Sequence, residues 1–143
     1  MKLFQIEEPD GTPADRDAPG VAVGIDLAGA AARVAIAVGG NAEILPDADG
    51  SRALAASVEN LVDLLLSLRA RAEKQLARPV THAVIACDAD EAEVERAASL
   101  AGLAVLRLMK RREAALLAKG ADDDEAPVLG AAQMAEELAP PAA

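Results

Sequence analysis

Asp26 interrupts the apolar stretch VAVGIDLAGAAARVAIAV, Val21 to Val38, and stands beside a turn of small residues. Its neighbours Ala28, Gly29, Ala30, Ala31 and Ala32 carry no polar side-chain atoms. Chemistry at this point would rest on one carboxylate and the backbone N–H groups of the turn. Asp26 reads either as a ligand or as a helix-facing or solvent-facing acid that serves solubility. Lys110-Arg111-Arg112 could attract a phosphate. A basic run at a helix start opposes the dipole, however, which favours pairing with acids such as Glu113 or those of the 122–125 turn. His82 and Cys87 are each the only residue of their kind. That excludes a multi-histidine zinc site, a thiolate cluster and a disulfide framework, and leaves both as core or near-core residues of an apolar strand.

The elements that must position Asp26 follow from periodicity. Val21, Val23, Ile25 and Leu27 share one face by period two, as do Val34, Ile36 and Val38, so the stretch reads as a hairpin with one buried face and Asp26 on the other. Gly39, Gly40 and Asn41 make a turn, and residues 42–45 return as a third strand. A Pro- and Asp-rich loop follows. Ser57 is a candidate N-cap for a helix carrying Val58, Leu61, Val62, Leu65, Leu68, Ala72 and Leu76, stopped by Arg78-Pro79. VTHAVIAC, 80–87, suits a strand covered on both faces. Asp88 and Asp90 can cap the next helix, which Gly102 ends. Residues 103–108 form another strand, 110–119 a helix, and 128–138 the last helix, preceded by Pro127 and ended by Pro140-Pro141. Gly24 and Gly29 meet the steric needs of a close-packed turn. Gly130-Ala131-Ala132 lets the last helix approach its neighbour closely.

Strand-helix-strand units require parallel crossovers. The order β-β-β-α-β-α-β-α-α therefore predicts an α/β fold, a mixed five-stranded sheet with helices on its faces. Residues 1–20 read as a flexible tail whose first residues dock on the domain, 21–139 as a single domain and 140–143 as a second tail. With Phe4 the only aromatic residue, the core must be aliphatic. No apolar run approaches bilayer length and no signal-peptide order opens the chain, so the expectation is a cytoplasmic protein. A formal net charge of -10 argues against nucleic acid or an anionic membrane as partner and fits a basic one.

Three stretches, in order, resemble the nucleotide-binding domain of the seventy-kilodalton heat-shock chaperones, the DnaK-like branch of the actin-like ATPase superfamily. Residues 23–58 resemble that family's opening GIDLGTTNS hairpin, meander and "EGxRxxPSV" loop. Residues 79–120 resemble its "VTxAVITVPA" and "AGLxVLRLxNEPTAAAxAYG" run. Residues 122–139 resemble the "DxxxAVALGAAIQAxIL" helix that closes the ATPase domain. KLFQIEEPDGTPA near the start is similar to the leader of the HscA branch, the chaperones of iron-sulfur cluster assembly. The resemblance implies a ribonuclease H-like, actin-like ATPase subdomain. It corresponds to the first subdomain of the first lobe, without counterparts of the outer subdomain, the second lobe or the peptide-binding domain.

The same resemblance implies site residues. Asp26 matches the first-loop aspartate that helps hold magnesium, reasonable for a hard cation beside a backbone turn. Gly24, Ala28, Gly29, Ala30 and Gly130 fall in the frame that contacts nucleotide, implying weak binding of ATP or ADP with magnesium. The departures are equally specific. Ala28-Gly29-Ala30-Ala31-Ala32 replaces Gly-Thr-Thr-Asn-Ser, and Lys110-Arg111-Arg112-Glu113 replaces Asn-Glu-Pro-Thr. The "VPAYFxDxQR" segment is shortened to CDADEAEVERA. Phosphoryl transfer needs several groups acting together, so no catalytic residue is assigned. Two readings stand. One is a degenerate chaperone subdomain linked to ATP binding, protein folding and iron-sulfur assembly but without turnover. The other is a non-catalytic interaction module or self-associating scaffold that meets a protein partner, or itself, through the exposed former cleft wall.

Overall fold

Alternating side chains divide each strand between two helical layers, and that division decides where Asp26 lies. The computed structural model describes residues 20–27, 31–46, 50–51, 54–55 and 61–140. The expected tail to residue 19, the Ala28-Gly29-Ala30 turn, the Ser57 cap and residues 141–143 lie outside them.

Among the described residues, six strands and four helices follow in the order β1 (Val21–Leu27), β2 (Ala31–Val38), β3 (Asn41–Ile44), β4 (Leu54–Ala55), α1 (Leu61–Leu76), β5 (Val80–Cys87), α2 (Glu91–Leu100), β6 (Ala104–Met109), α3 (Arg111–Leu117) and α4 (Ala126–Leu138). The sheet runs β3-β2-β1-β5-β6. β1 is antiparallel to β2 and β2 to β3, whereas β5 is parallel to both β1 and β6. This is the expected mixed five-stranded α/β arrangement. The addition is β4, two residues that pair with Ala31 and Ala32 and so prolong the edge that β3 begins. A strand this short leaves no periodicity in the sequence.

Val21, Val23, Ile25 and Val34 meet Leu65, Leu68, Ala72, Val94 and Ala98 in one aliphatic core, under α1 and α2. The opposite face carries Ala35, Ala37, Val84, Ala86 and Met109 against Ala114 of α3 and Val128, Ala131, Ala132 and Ala135 of α4. No helix among the described residues is long and apolar enough to cross a membrane.

Small residues on the α3/α4 side set its spacing. A Cβ on Gly24 would fall 2.6 Å from the Ala131 carbonyl carbon and collide with the backbone nitrogen of Ala132. One on Gly130 would strike the carbonyl oxygen of Ala114. Gly24 therefore admits α4 against β1, and Gly130 admits α3 against α4, as the small-residue pattern at 130–132 suggests.

Polar staples fasten the ends. The Glu136 carboxylate accepts from the backbone N–H groups of Gly39 (2.6 Å) and Gly40 (2.9 Å), holding α4 to the β2–β3 turn. Arg69 donates to the Val80 and Ala101 carbonyls at 3.0 and 2.9 Å. Glu73 in turn accepts from Val80 N. Asp90 caps α2 by accepting from Ala92 N at 3.0 Å.

Candidate functional site

Strand alternation turns Asp26 toward α3 and α4, away from the aliphatic core. It is fully buried there, with a relative accessibility of 0%. A carboxylate in such a place demands a partner, because an unpaired buried charge is prohibitively costly. Arg111, the first residue of α3, supplies it across 85 positions of sequence. Its Nε donates to Asp26 Oδ1 at 2.7 Å and its second terminal nitrogen to Oδ2 at 3.2 Å, a bidentate guanidinium-carboxylate pair. The hydrogen bond to Asp26 raises the Arg111 pKa above its ordinary value against partial desolvation, with further support from Asp26, Asp88 and Asp124. The guanidinium stays protonated across the working pH range.

The start of α3 is built to deliver that side chain. Asp88 Oδ1 accepts from Arg111 N at 3.3 Å and Glu113 Oε1 accepts from Lys110 N at 3.0 Å, so two acids offset a basic first turn. Asp88, a candidate cap for α2, thus serves α3. The expectation that the 110–112 cluster pairs with Glu113 or the 122–125 turn is corrected for Arg111, which turns inward to Asp26. The residue that reaches the acidic turn is Arg33, whose terminal nitrogen donates to the Asp124 carbonyl at 3.2 Å.

Arg33 also faces Asp26 directly across the β1–β2 ladder. Opposite residues of an antiparallel pair hold their Cβ atoms about 5 Å apart. Arg33 Nε is buried without a hydrogen-bond partner. The acid is thus gripped through both oxygens by Arg111, while the guanidinium of its cross-strand neighbour Arg33 reaches to Asp124.

That arrangement does not fit a divalent cation. A metal ligand needs an available oxygen lone pair directed at the ion and company from other hard donors. Here both oxygens accept from Arg111, and no group of three or more His, Cys, Asp or Glu side chains among the described residues could hold a metal. Gly24 and Gly130 are filled from the outside by helix backbone. Both serve packing, and Ala28, Gly29 and Ala30 lie outside the described residues. Cys87 is buried on the aliphatic side, where desolvation raises its thiol pKa, with a smaller lowering by the Ala89 N–H. A neutral buried thiol is a poor nucleophile. His82 is half-buried, its Nδ1 2.7 Å from Thr81 Oγ1.

A family model described as Hsp70 protein matches residues 56–131, just over half of the chain. The chain belongs to the Hsp70 family. No curated protein matches it significantly. The matched span carries α1, β5, α2, β6, α3 and the first part of α4, hence Arg111 and Gly130, while Gly24 and Asp26 precede it. The mixed open sheet with four helices is consistent with an actin-like ATPase subdomain from that family of chaperones.

Arg33 was not singled out from the sequence, and Arg111 entered only as part of the 110–112 basic cluster, without Asp26 as its partner. Two signals pointed to Arg111. An acid inside an apolar strand requires a cation somewhere. The resemblance also sets Arg111 where the family motif has glutamate, a reversal of charge next to the conclusion that Asp26 needs balancing.

Proposed function

We propose that this Hsp70-family chain is a degenerate nucleotide-binding subdomain, corresponding to the first subdomain of the first lobe, in which an internal cation has taken the place of magnesium and ATP turnover is absent. The observation that carries the reading is the bidentate Arg111–Asp26 pair, buried on the acid side. A guanidinium at 2.7 Å neutralises the carboxylate permanently, whereas a catalytic metal must arrive with nucleotide and leave with product. The family's turn hydroxyls that could hold phosphates are replaced by Gly29, Ala30 and Ala32.

The activity left to such a subdomain is association, with a protein partner or a second copy, at the wall that would face a nucleotide cleft. KLFQIEEPDGTPA supports placing it nearest the iron-sulfur assembly chaperones, acting in the cytoplasm. Calorimetry with ATP tests the reading, with magnesium present in one arm and chelated in the other. The expected result is no magnesium-dependent heat and no phosphate release. Magnesium-dependent binding abolished by Asp26→Ala would return the site to the chaperone ATPases. A strictly monomeric chain that captures nothing in sedimentation and pull-down experiments would remove the association reading.

A further inference from the structure

On the α1 side of the sheet, helix coverage stops short of the β2–β3 edge. A groove of about 340 Å³ opens there between the end of α1 and the two strands. Ile36, Val38, Leu45 and Leu76 give it apolar walls, and Asn41 and Glu43 line its β3 side. Val38 is 68% exposed, unusual for a β-branched side chain facing a helical layer. β3 is also a sheet edge, paired among the described residues only with β2, so its outer backbone groups can template another strand.

Gly20, the first described residue, lies at the same end of the sheet as Val38 and the end of α1. Val21 N donates to the Pro79 carbonyl at 2.9 Å and Gly20 N to Thr81 Oγ1 at 2.8 Å. Both bonds fix the start of β1 to the start of β5, shortly after Leu76. The antiparallel register of β1 with β2 brings the Val38 end of β2 to that same end of the sheet. The nineteen residues before Gly20 therefore join the domain at the end of the sheet where Leu76 and Val38 bound the groove. Within them Leu3, Phe4 and Ile6 are the large apolar residues after Met1, and Phe4 is the only aromatic residue of the chain.

We propose that Leu3–Ile6 adds to β3 as an antiparallel strand and seats Phe4 and Ile6 in the groove. Period two puts these two side chains on one face, and their chain direction is opposite to β3 when the segment runs back from Gly20. Residues 7–19 span at most about 40 Å extended and about 20 Å as a coil, enough for the return at an effective concentration in the millimolar range. Charge favours the same register. Glu7 and Glu8 would lie at the α1 end, where Lys74 and Arg78 are exposed. An intramolecular strand would also blunt an edge that otherwise invites a second copy.

The sole phenylalanine allows a direct test. Biosynthetic incorporation of fluorophenylalanine into the full chain gives one fluorine resonance, reporting Phe4 alone. It should be displaced from its position in concentrated urea, tumble with the domain, and be unchanged on dilution. Val38→Glu and Ile6→Ser should each return it to the urea position while circular dichroism holds the folded signal; Val38 is exposed and Ile6 lies outside the described core. A native resonance that coincides with the urea position overturns the proposal, as does a displacement that survives both substitutions. A displacement lost on dilution would assign the groove to a second copy instead.

Discussion

Leu65 and Leu68 share an interior cluster with Val23 and Ile25 on one face of the sheet, whereas on the other Gly24 lets Ala131 and Ala132 bring α4 almost to the backbone of β1, and Gly130 brings α4 against α3. The first interface is filled by side-chain volume, and the buried charge on its helix, Arg71 of α1, donates to the Ser51 carbonyl. The second is closed by the absence of volume and holds a buried ion pair. Large aliphatic side chains can shift rotamers to absorb a change, but backbone against backbone cannot. The chemistry-bearing acid lies on the unforgiving side. Its surroundings are positioned by glycine and alanine contacts together with the carboxylates of Asp88 and Glu113 at the start of α3.

The ion pair offers the largest separation between the faces. Removing one partner of a buried pair while leaving the other is worth about 3–5 kcal/mol of destabilisation. Arg111→Met leaves Asp26, with no accessible surface, unpaired, and should reach that range in urea unfolding. Asp26→Asn should cost less, about 1–3 kcal/mol, because Arg111 keeps 30% of its side-chain surface accessible and can turn to water. Asp26→Leu combined with Arg111→Met should recover much of the loss. Equal costs for the two single variants would mean that the asymmetry of burial carries no energetic weight.

The next contrast concerns volume alone. Gly130→Ala adds one methyl group against the Ala114 carbonyl and should cost about 3 kcal/mol, the upper end for overpacking, because the obstacle is backbone. Leu65→Met on the aliphatic side changes shape at similar volume and should cost below about 1.5 kcal/mol. Thermal unfolding of both variants compares them under one condition. A mild Gly130→Ala would show that α3 can retreat from α4.

Much of this division was legible in the sequence. The hairpin, the parallel β5 and β6, and the small-residue contact at Gly130 follow from periodicity and residue size, which act locally. Asp26 was identifiable as facing away from the valine stripe for the same reason. Its partner was not, since the contact joins positions 85 apart and depends on which way the first side chain of α3 leaves its helix. Local electrostatics pointed Arg111 toward Glu113. The cost of burying Asp26, a tertiary quantity, decided otherwise. Arg33 was hidden for a related reason, because its cross-strand neighbour is defined only once the β1–β2 register is known.

Farther from the ion pair, Glu136 tests how much of the α4 position depends on a polar staple. Its carboxylate holds the Gly39 and Gly40 amides at an exposed site, so Glu136→Ala should cost about 1 kcal/mol by urea unfolding. Faster hydrogen exchange should then be confined to the β2–β3 turn. Exchange that spreads to β1 would make the staple part of the close interface itself.

The smallest effect belongs to Cys87, the aliphatic face's counterpart of Asp26. Cys87 neighbours Leu27 in the β1–β5 register, one residue beyond the position of Asp26, and points to the other layer. There desolvation outweighs the Ala89 N–H and the charge of Lys110, so the thiol pKa is raised. The folded protein then holds the thiol proton longer than the unfolded chain does. Stability from this source is fully present below the unfolded thiol pKa and is lost as pH rises through the folded one. At the foot of that alkaline slope the change should stay below about 0.5 kcal/mol and vanish in Cys87→Ala. Urea midpoints measured from neutral to alkaline pH check the sign. Thiol-specific reagents should modify the native protein far more slowly than the unfolded one. A midpoint that rises with pH, and keeps rising in Cys87→Ala, would trace the slope to another group and show that a neutral buried thiol is not how this face meets the cost of burial.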